Sequence, residues 1–201
     1  MGQAEQLGNH VRLVEQACQR VARDKTGAQH FLQGLTLEQA DYLSLAEVQV
    51  STSAPNLELG KPAAQSSFLP DYSTSGAGVA VDGNTDGNFF HGSVTSTNLD
   101  PQAWWQVDLG TSTSIGSIVI WNRTDCCSSR LNDYWVFLSD TAFGPSDTPA
   151  TLQKRAGTWK IHQTLVPSPS TTLETAGAKG RYIRVQLTGT GNLSLAEVQV
   201  F

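Results

Sequence analysis

The chain reads Ile115-Gly-Ser-Ile-Val-Ile-Trp121, then Asn122, then Arg123-Thr-Asp-Cys-Cys-Ser-Ser-Arg130. The first run is short, apolar and rich in β-branched residues, which predicts a strand buried on both faces. The second run is polar and follows directly, so we expect a loop at the end of that strand. The loop brings two guanidinium groups, one carboxylate and two adjacent cysteines into one short segment.

This loop has the chemistry of a sugar site. Arg123 and Arg130 each present a charged, rigid fork of N–H donors, which suits vicinal hydroxyl oxygens. Asp125 is expected to hold both guanidinium groups in register through charge-assisted hydrogen bonds. Cys126 and Cys127, if joined, would add an apolar sulfur face, which suits a ligand with hydroxyls on one edge and a methyl group on another, such as a deoxy sugar. The alternative is a surface loop with an incidental Arg–Asp pair and two buried thiols.

Composition argues against several classes of partner. The 201 residues carry a net charge of −5 and no block of Lys or Arg, whereas a nucleic-acid-binding protein needs a cationic surface. No apolar run approaches the roughly eighteen residues of a membrane-spanning helix. Residues 1–30 lack the apolar segment of a secretory signal, which leaves a cytosolic protein or part of a longer secreted chain that begins at an added Met1. Cys18 lies far from the other two cysteines, so cysteine number does not identify the redox compartment.

Residues 3–23 are predicted to form a helix. Their apolar residues recur at helical spacing and form a two-heptad stripe: Leu7, Val11, Val14, Cys18 and Val21. Residues 24–27 are polar and end in a glycine, as helix ends often do. Such a stripe packs on its own domain or on a neighbour. A coiled-coil stalk is the alternative, although it needs about three or four heptads.

An eight-residue repeat suggests the domain boundary. Leu43-Ser-Leu-Ala-Glu-Val-Gln-Val50 recurs letter for letter at residues 193–200, at a spacing typical of one β-sandwich domain. We interpret the first copy as the closing strand of a truncated preceding repeat. A polar linker follows, so we expect an N-terminal extension over residues 1–54 and a domain over residues 55–201. The apolar positions of the second copy change parity after Leu195, which predicts a β-bulge that re-aims Glu197.

From residue 56 onward the pattern predicts an all-β domain. Turn signals rich in Gly, Asp and Asn separate short runs in which apolar residues alternate. The further predicted strands cover residues 105–109, 133–140, 159–165 and 183–187. Many short strands without a long helix indicate a β-sandwich or jelly roll.

Asp82-Gly-Asn-Thr-Asp-Gly-Asn88 is a candidate metal loop. Calcium takes six to eight hard oxygen ligands from a flexible loop, and this segment is dense in such oxygens. The spacing is not that of an EF-hand, which needs a Glu at its twelfth position and flanking helices. A pair of tight turns explains the same residues, because Asp-Gly and Asn-Gly form turns on their own.

Catalytic residues are not indicated. Asp82 and Asp86 could form an acid–base pair, but turn or metal duty explains them better. No Ser-His-Asp order or phosphate-binding glycine loop is present in the sequence, and the histidines have no metal-ligand spacing: His10, His30, His91 and His162. We therefore do not expect an enzyme.

Residues 56–201 resemble an F-type lectin, a fucose-binding relative of the discoidin-like coagulation-factor domains. The resemblance covers the whole domain and is carried by residues 56–63, 80–84, 104–110, 123–130, 180–185 and 193–201. The Arg-x-Asp-Cys-Cys run, with an Arg five residues after the Asp, is the specific motif. The opening and closing segments are shared more widely among discoidin-like domains.

The resemblance implies an eight-stranded jelly-roll β-sandwich of discoidin-like fold, here with a short helical N-terminal extension. It also implies a shallow site for α-L-fucose and no catalysis. Two arginines would donate to the ring oxygen and hydroxyls, a vicinal Cys126–Cys127 disulfide would face the hydrophobic edge, and a phenylalanine would contact the methyl group. The residues assigned to the sugar on this basis are Arg123, Arg130, Asp125, Cys126, Cys127, Ser96, Phe89 and Phe90.

A structural calcium ion is also implied by the resemblance. Its ligands would be four side chains, those of Asp82, Asn84, Ser93 and Glu197, and two backbone carbonyl oxygens, those of Val79 and Ala196. This set agrees with the density of Asp-Gly and Asn-Gly pairs and with the bulge expected before Glu197.

Ser96 departs from the family pattern, which usually places a His after Gly-Ser-x-x. A hydroxyl is shorter than an imidazole and would reach the sugar only through a water molecule. Loss of one neutral hydrogen bond costs about 0.5–1.5 kcal/mol, or up to roughly tenfold in affinity.

Two functions follow as expectations. The first is a calcium-stabilised lectin domain that binds fucosylated glycans outside the cell, made multivalent by oligomerisation or tandem repeats. The second is a structural or adhesion domain whose sugar site has decayed and which binds protein or phospholipid instead. Neither function involves nucleic acid or insertion into a membrane.

Overall fold

A computed structural model describes residues 22–23, 29–30, 55–69 and 76–201. The chain divides into two units, Met1–Ser53 and Ala54–Phe201. In the first unit, strands β1 (Ala22–Arg23) and β2 (Gln29–His30) pair in antiparallel fashion. The predicted helix over residues 3–23 and the first copy of the repeat lie outside the described residues, apart from Ala22 and Arg23. Those two residues form β1 rather than the end of a helix, and they follow the last apolar position of the stripe, where periodicity determines a helix end least well.

In the second unit, the eight described strands of three or more residues form two antiparallel sheets. The five-stranded sheet has the order β3 (Ala63–Gln65), β5 (Trp104–Ser114), β10 (Lys179–Leu187), β7 (Tyr134–Ser139) and β8 (Trp159–Gln163). The three-stranded sheet has the order β12 (Leu195–Val200), β6 (Ser117–Asn122) and β9 (Ser170–Glu174). A two-residue pair, β4 (Asp100–Pro101) and β11 (Thr190–Gly191), completes the set. The predicted all-β, eight-stranded architecture is confirmed.

The helices of this unit are short. Three 3₁₀ turns cover Ala77–Val81, Phe89–His91 and Ser128–Arg130, and one α-helix, α1, covers Pro149–Leu152. Thr148 and Thr151 form a reciprocal capping box at the start of α1. No helix within the described residues is long and apolar enough to cross a membrane.

The core lies between the two larger sheets. In the first six residues of β5 every second residue is buried, as predicted from the alternation of Trp105, Val107 and Leu109. The same cluster contains Ile118 and Ile120 of β6 and residues of β10 and β12. Each such side chain contributes about 1.5–3 kcal/mol of burial free energy.

Strand β6 differs from its prediction. We expected burial on both faces, but Ile118, Ile120 and Asn122 are buried whereas Val119 and Trp121 are partly exposed. The strand is central in its sheet, between β12 and β9, yet the outer face of that sheet is only partly covered. The continuous apolar run therefore predicted a central strand correctly, but the prediction that its outer face is buried was wrong.

The predicted β-bulge in β12 is confirmed. The register with β6 shifts between Leu195 and Glu197, so Ala196 is the additional residue. Residues 95–97 run beside this strand, where the backbone N–H of Thr95 donates to the Leu195 carbonyl at 2.8 Å. The bulge turns the side chain of Glu197 into the interior, where it is fully buried.

Candidate functional site

The cysteine loop begins directly after β6 and is tied back to its neighbours. Cys126 and Cys127 are joined by a disulfide and are both exposed, so the alternative of two buried thiols is wrong. Asn122, which is 2% exposed, donates through Nδ2 to the carbonyl oxygens of Ser128 and Pro167, each at 3.0 Å. These two hydrogen bonds fix the end of the loop against the segment that precedes β9.

Arg123 is locked in place by Asp125. Its Nε and one terminal nitrogen donate to the two carboxylate oxygens at 2.8 Å each, and the side chains are only 6% and 13% exposed. The Arg123 guanidinium, together with a hydrogen bond from the Phe89 backbone N–H, lowers the pKa of Asp125 to about 2. The carboxylate is therefore charged at neutral pH, and Arg123 is held rigidly before any ligand arrives.

Arg130 is not held in this way. We expected Asp125 to contact both arginines, but its partners are Arg123 and the backbone of Phe89. Among the described residues, the guanidinium of Arg130 makes no hydrogen bond or ion pair. Arg130 is partly exposed, so N–H donors of its guanidinium are available to a ligand.

The two phenylalanines have different positions. Phe89 is 6% exposed and lies beneath the Arg123 guanidinium, which is 4.3 Å from its ring centroid. Phe90 meets Phe89 edge to face and is 75% exposed. The Asn88 side chain caps this short helix by accepting a hydrogen bond from the Phe90 N–H at 3.0 Å. Phe90 is therefore the ring that a ligand can contact, and Phe89 supports Arg123.

Gly87 allows the loop before the short helix Phe89–His91 to contact the cysteine loop (residues 123–130). The backbone N–H of Thr124 donates to the Gly87 carbonyl at 2.8 Å. A Cβ on Gly87 would lie 2.5 Å from Thr124 Oγ1 and 2.8 Å from the Asn122 carbonyl oxygen. The approach of Phe89 and Phe90 to the arginines thus requires a residue without a side chain at position 87.

Ser96 lies away from the surface of this site. It is fully buried, and its hydroxyl is 3.3 Å from the Thr97 carbonyl oxygen. The short helix Phe89–His91, here called the Phe90 helix, presents the exposed imidazole of His91. Its Nδ1 lies 2.7 Å from Asp86 Oδ2, and its Nε2 lies 3.3 Å from Asn88 Nδ2. The polar groups presented at this surface therefore come from the cysteine loop and the Phe90 helix.

The candidate calcium ligands come from three segments that meet at the bulge. Glu197 Oε1 accepts a hydrogen bond from the Gly83 N–H at 3.0 Å, which brings the Asp82 loop to the carboxylate. Asp82 accepts from the Asn84 N–H at 2.8 Å, and the Ser93 hydroxyl donates to the Asp86 carbonyl at 2.6 Å. Two of the proposed side-chain ligands are carboxylates, and the described residues hold no metal-binding group of three or more His, Cys, Asp or Glu side chains.

A buried pair of carboxyl groups lies beside this loop. Glu58 and Glu197 are both 0% exposed, and one oxygen of each has no hydrogen-bond partner among the described residues. Burial is the main cause that raises the pKa of both groups, and the negative charges of Glu58 and, to a smaller extent, Asp82 add to the effect on Glu197. Buried, unpartnered carboxyl oxygens favour a bound cation at this position.

Three residues that shape the site were not predicted. Gly87 acts by allowing a close backbone approach, and Asn122 acts through side-chain hydrogen bonds to distant carbonyl oxygens. Neither contact leaves a signature in a single sequence. Glu58 did carry a signal, because it is a charged residue between Leu57 and Leu59 at the start of the domain. A carboxyl group in such a run is a candidate for burial against a cation.

The family model for F5/F8 type C domains, described as a NedA-like galactose-binding domain, matches residues 79–185. Fucolectin-1 of Anguilla japonica is 33% identical over 125 residues, which cover 61% of this chain and 66% of the relative. Fucolectin of Anguilla anguilla is 31% identical over 63% of this chain and 76% of the relative. The chain thus spans about two thirds of the length of the first of these relatives.

Solved structures of fucose-binding modules and lectin domains are also similar to this chain. A fucose-binding module of Streptococcus pneumoniae superimposes with a TM-score of 0.63 at 35% identity and covers 76% of this chain and 99% of its own. The lectin domain of lectinolysin, solved with Lewis B antigen, gives a TM-score of 0.62 at 33% identity, with 75% and 98% covered. Each similarity extends over nearly the whole of the solved structure and over about three quarters of this chain, which includes the domain that carries the site.

Proposed function

Because the chain belongs to the F-type lectin family, within the discoidin-like F5/F8 type C domains, we propose that its domain binds terminal α-L-fucose on glycans. The domain is a non-catalytic carbohydrate-binding module, so its function is to hold a sugar without altering it. The relatives named as fucolectins and fucose-binding modules support fucose as the ligand.

The observation that carries this proposal is the guanidinium of Arg130, which has no partner in the part of the chain that the structure describes and lies on the same loop as the fixed Arg123. Arg123 is preorganised by Asp125 and Phe89, so little side-chain entropy is lost when it donates to a hydroxyl. Arg130 supplies the second set of donors from the far end of the loop. One fixed and one free guanidinium, with an exposed disulfide between them in the sequence, match a ligand that is polar on one edge and apolar on another.

The apolar groups account for a preference for a deoxy sugar. The exposed Cys126–Cys127 disulfide lies between the two arginines in the sequence, and Phe90 presents an open ring beside Phe89. A sugar methyl group against such a surface contributes about 0.8 kcal/mol, which a hydroxymethyl group would forfeit in part. L-Fucose carries a methyl group at the position where L-galactose carries a hydroxymethyl group.

A glycan array at neutral pH tests this function. We expect signal on terminally fucosylated glycans that falls at least roughly tenfold in Arg130→Ala, since hydrogen bonds from a charged group are worth about 1.5–3 kcal/mol. Arg181→Ala is the matched control, because that arginine pairs with Asp108 on the five-stranded sheet. Fucose-independent signal, or equal binding by the Arg130 and control variants, would disprove the proposal.

We also propose a structural calcium ion held by Asp82, Asn84, Ser93, Glu197 and the carbonyl oxygens of Val79 and Ala196. The support is the buried Glu197 carboxyl group, which has one unpartnered oxygen beside a loop of hard oxygen donors. Calcium accepts hydroxyl, amide and backbone oxygens as well as carboxylates, so two carboxylates suffice. When bound, the ion supplies positive charge that neutralises the buried carboxyl groups and ties the Asp82 loop to β12.

A decayed sugar site is the second candidate function, and the burial of Ser96 favours it. The hydroxyl at this position is not presented to a ligand, so one side of the family's clamp is missing. The exposed apolar side chain of Phe90 would then contact a protein or phospholipid surface. A silent glycan array together with binding to vesicles or to a protein partner would support this second function.

We further propose that the domain works outside the cell and in multivalent form. An exposed vicinal disulfide persists most readily in an oxidising compartment. Shallow sugar sites bind weakly, so several linked copies would be needed for useful avidity. The repeated eight-residue segment supports a tandem arrangement of similar domains.

A further inference from the structure

Two buried carboxyl groups lie next to each other where the first turn of the domain meets its last strand. Glu58 lies in the turn that precedes β3, and Glu197 lies in β12 directly after the bulge. Both side chains are fully buried, and their carboxyl groups are within hydrogen-bond reach of each other. We call these two residues the Glu58–Glu197 pair.

Each carboxyl group is anchored through one of its two oxygens. Glu58 Oε2 accepts a hydrogen bond from the Val200 N–H at 3.2 Å. Glu197 Oε1 accepts one from the Gly83 N–H at 3.0 Å. Among the described residues, Glu58 Oε1 and Glu197 Oε2 have no hydrogen-bond partner. The backbone thus fixes both side chains and leaves one free acceptor oxygen on each.

The turn that carries Glu58 is held against the candidate calcium loop. The Gly60 N–H donates to the Val81 carbonyl at 2.7 Å, directly before Asp82. The Lys61 N–H donates to the Glu58 carbonyl at 2.9 Å and closes the turn. Glu58 is therefore fixed beside the segment that supplies the proposed calcium ligand Asp82.

No side chain of opposite charge compensates the Glu58–Glu197 pair. In the part of the chain that the structure describes, no Lys, Arg or His forms an ion pair with either group. Two adjacent carboxylates repel each other, and they do so more strongly in the interior, where the dielectric constant is low. Neither can donate a hydrogen bond to the other when both are ionised. The free oxygens therefore require either a shared proton or a bound cation.

A cation is favoured over a proton by the surroundings of the pair. Glu197 is already one of the proposed calcium ligands, and the negative charge of Asp82 acts on it. Calcium takes six to eight oxygen ligands, whereas the proposed set contains four side chains and two backbone carbonyls. A seventh oxygen ligand is compatible with the usual coordination of this ion, and each added carboxylate raises the affinity of such a site.

We propose that Glu58 is a further ligand of the structural calcium ion, to which it contributes its free oxygen. This inference rests on the calcium site proposed above and not on the identity of the sugar. Calcium then ties the first turn of the domain to its last strand as well as to the Asp82 loop.

Calcium titrations of Glu58→Gln test this role. Glutamine has nearly the same shape, and its amide can donate to the free oxygen of Glu197, so the pair needs neither a proton nor a cation. We expect the melting temperature in chelator to be no lower than that of wild type. We expect the calcium dissociation constant, measured by calorimetry, to rise at least about tenfold. Glu174→Gln is the matched control, because it removes the same charge at an exposed position at the end of β9 and should leave calcium affinity unchanged.

The outcomes separate the role of Glu58 from the calcium site and from sugar binding. Calcium affinity of Glu58→Gln equal to that of wild type would overturn the inference and leave the other calcium ligands in place. Absence of calcium binding by wild type would overturn the calcium site and this inference together, whereas the fucose proposal is decided separately by the glycan array. If Glu58→Gln does not fold, Glu58→Met gives the same comparison, because it fills a similar volume without a buried charge. Retained calcium affinity in Glu58→Met would overturn the inference, and its loss would support it.

Discussion

Asp125 accepts two hydrogen bonds of 2.8 Å from the guanidinium of Arg123, in a pair whose side chains are almost fully shielded from water. The two residues are separated by a single position in the sequence. Their contact turns a flexible cationic side chain into a fixed donor above the Phe89 ring. The rest of the candidate site is arranged around this pair.

Replacement of Asp125 by Asn should weaken both folding and fucose binding. The variant leaves the buried Arg123 with one acceptor in place of two and without a counter-charge, which costs about 1–3 kcal/mol in the free energy of unfolding. Urea titrations and calorimetry with methyl α-L-fucoside provide the two measurements. Asp108→Asn is the control, because it removes a similar bidentate contact to Arg181 at a more exposed position, where about 0–1 kcal/mol and unchanged binding are expected. Equal losses in the two variants would contradict the special role of Asp125.

The same pair predicts a pH dependence. The Arg123 guanidinium lowers the pKa of Asp125 to about 2 in the folded chain. The ordinary pKa of an Asp side chain is about 3.9. The stabilising effect of ionised Asp125 is therefore complete above about pH 4 and is lost as the pH falls through about 2. Unfolding free energies of wild type and Asp125→Asn, measured with chelator present, should differ by a constant amount from pH 7 to about pH 4 and should converge below that. A difference that is already lost at pH 5 would be inconsistent with this assignment.

Gly87→Ala should disturb the site without touching a ligand. The added Cβ meets Thr124 Oγ1 at 2.5 Å and the Asn122 carbonyl at 2.8 Å, so the two loops must separate, at a cost of about 1–3 kcal/mol. We expect lower thermal stability and weaker fucose binding. Gly78→Ala is the matched control, because a Cβ there meets nothing within 4 Å and its stability should remain within about 0.5 kcal/mol of wild type. Normal binding by Gly87→Ala would show that the loops need not touch.

Phe90→Ala should separate ligand contact from stability. Phe90 is 75% exposed, so its truncation should leave the melting temperature almost unchanged. Loss of its contact with the sugar methyl should lower the affinity for methyl α-L-fucoside about three- to fivefold, while weak binding of methyl α-L-galactoside changes less. Leu165→Ala removes an equally exposed apolar side chain, one that is 78% exposed, and should alter neither affinity. An equal loss of affinity for the two sugars would show that the sugar methyl group does not contact Phe90.

Calcium should stabilise the wild-type domain and should not stabilise Glu197→Gln. Ligand binding to the folded state alone raises stability by about 2.7 kcal/mol at a hundredfold excess over the dissociation constant. Differential scanning fluorimetry with calcium, magnesium and chelator provides the measurement. Asp86→Asn tests whether the response is specific, because Asp86 lies in the same loop and outside the proposed ligand set, so its response should persist. A melting temperature of wild type that is insensitive to calcium would remove the calcium proposal and leave the sugar site as it stands.

Local features of the fold and site were determined by the sequence alone. The alternation of buried residues at the start of β5, the bulge before Glu197 and the cysteine loop after β6 were all indicated by the order of residue types within a short segment. The Arg123–Asp125 contact spans two positions and could be anticipated for the same reason. A short segment presents few alternative geometries, so residue type and spacing restrict the outcome.

The tertiary structure decided which of these residues face a ligand. It buries Ser96, exposes Phe90 and covers Phe89 with Arg123. It also leaves the Arg130 guanidinium without a partner among the described residues. It also brings the carboxyl groups of Glu58 and Glu197, from opposite ends of the domain sequence, next to each other. The backbone of Gly87 accepts a hydrogen bond from that of Thr124. These contacts join segments far apart in the chain, and close packing of two sheets fixes them. Residue type and spacing along the chain could not supply them, because exposure and partnership at each position depend on what the fold places opposite it.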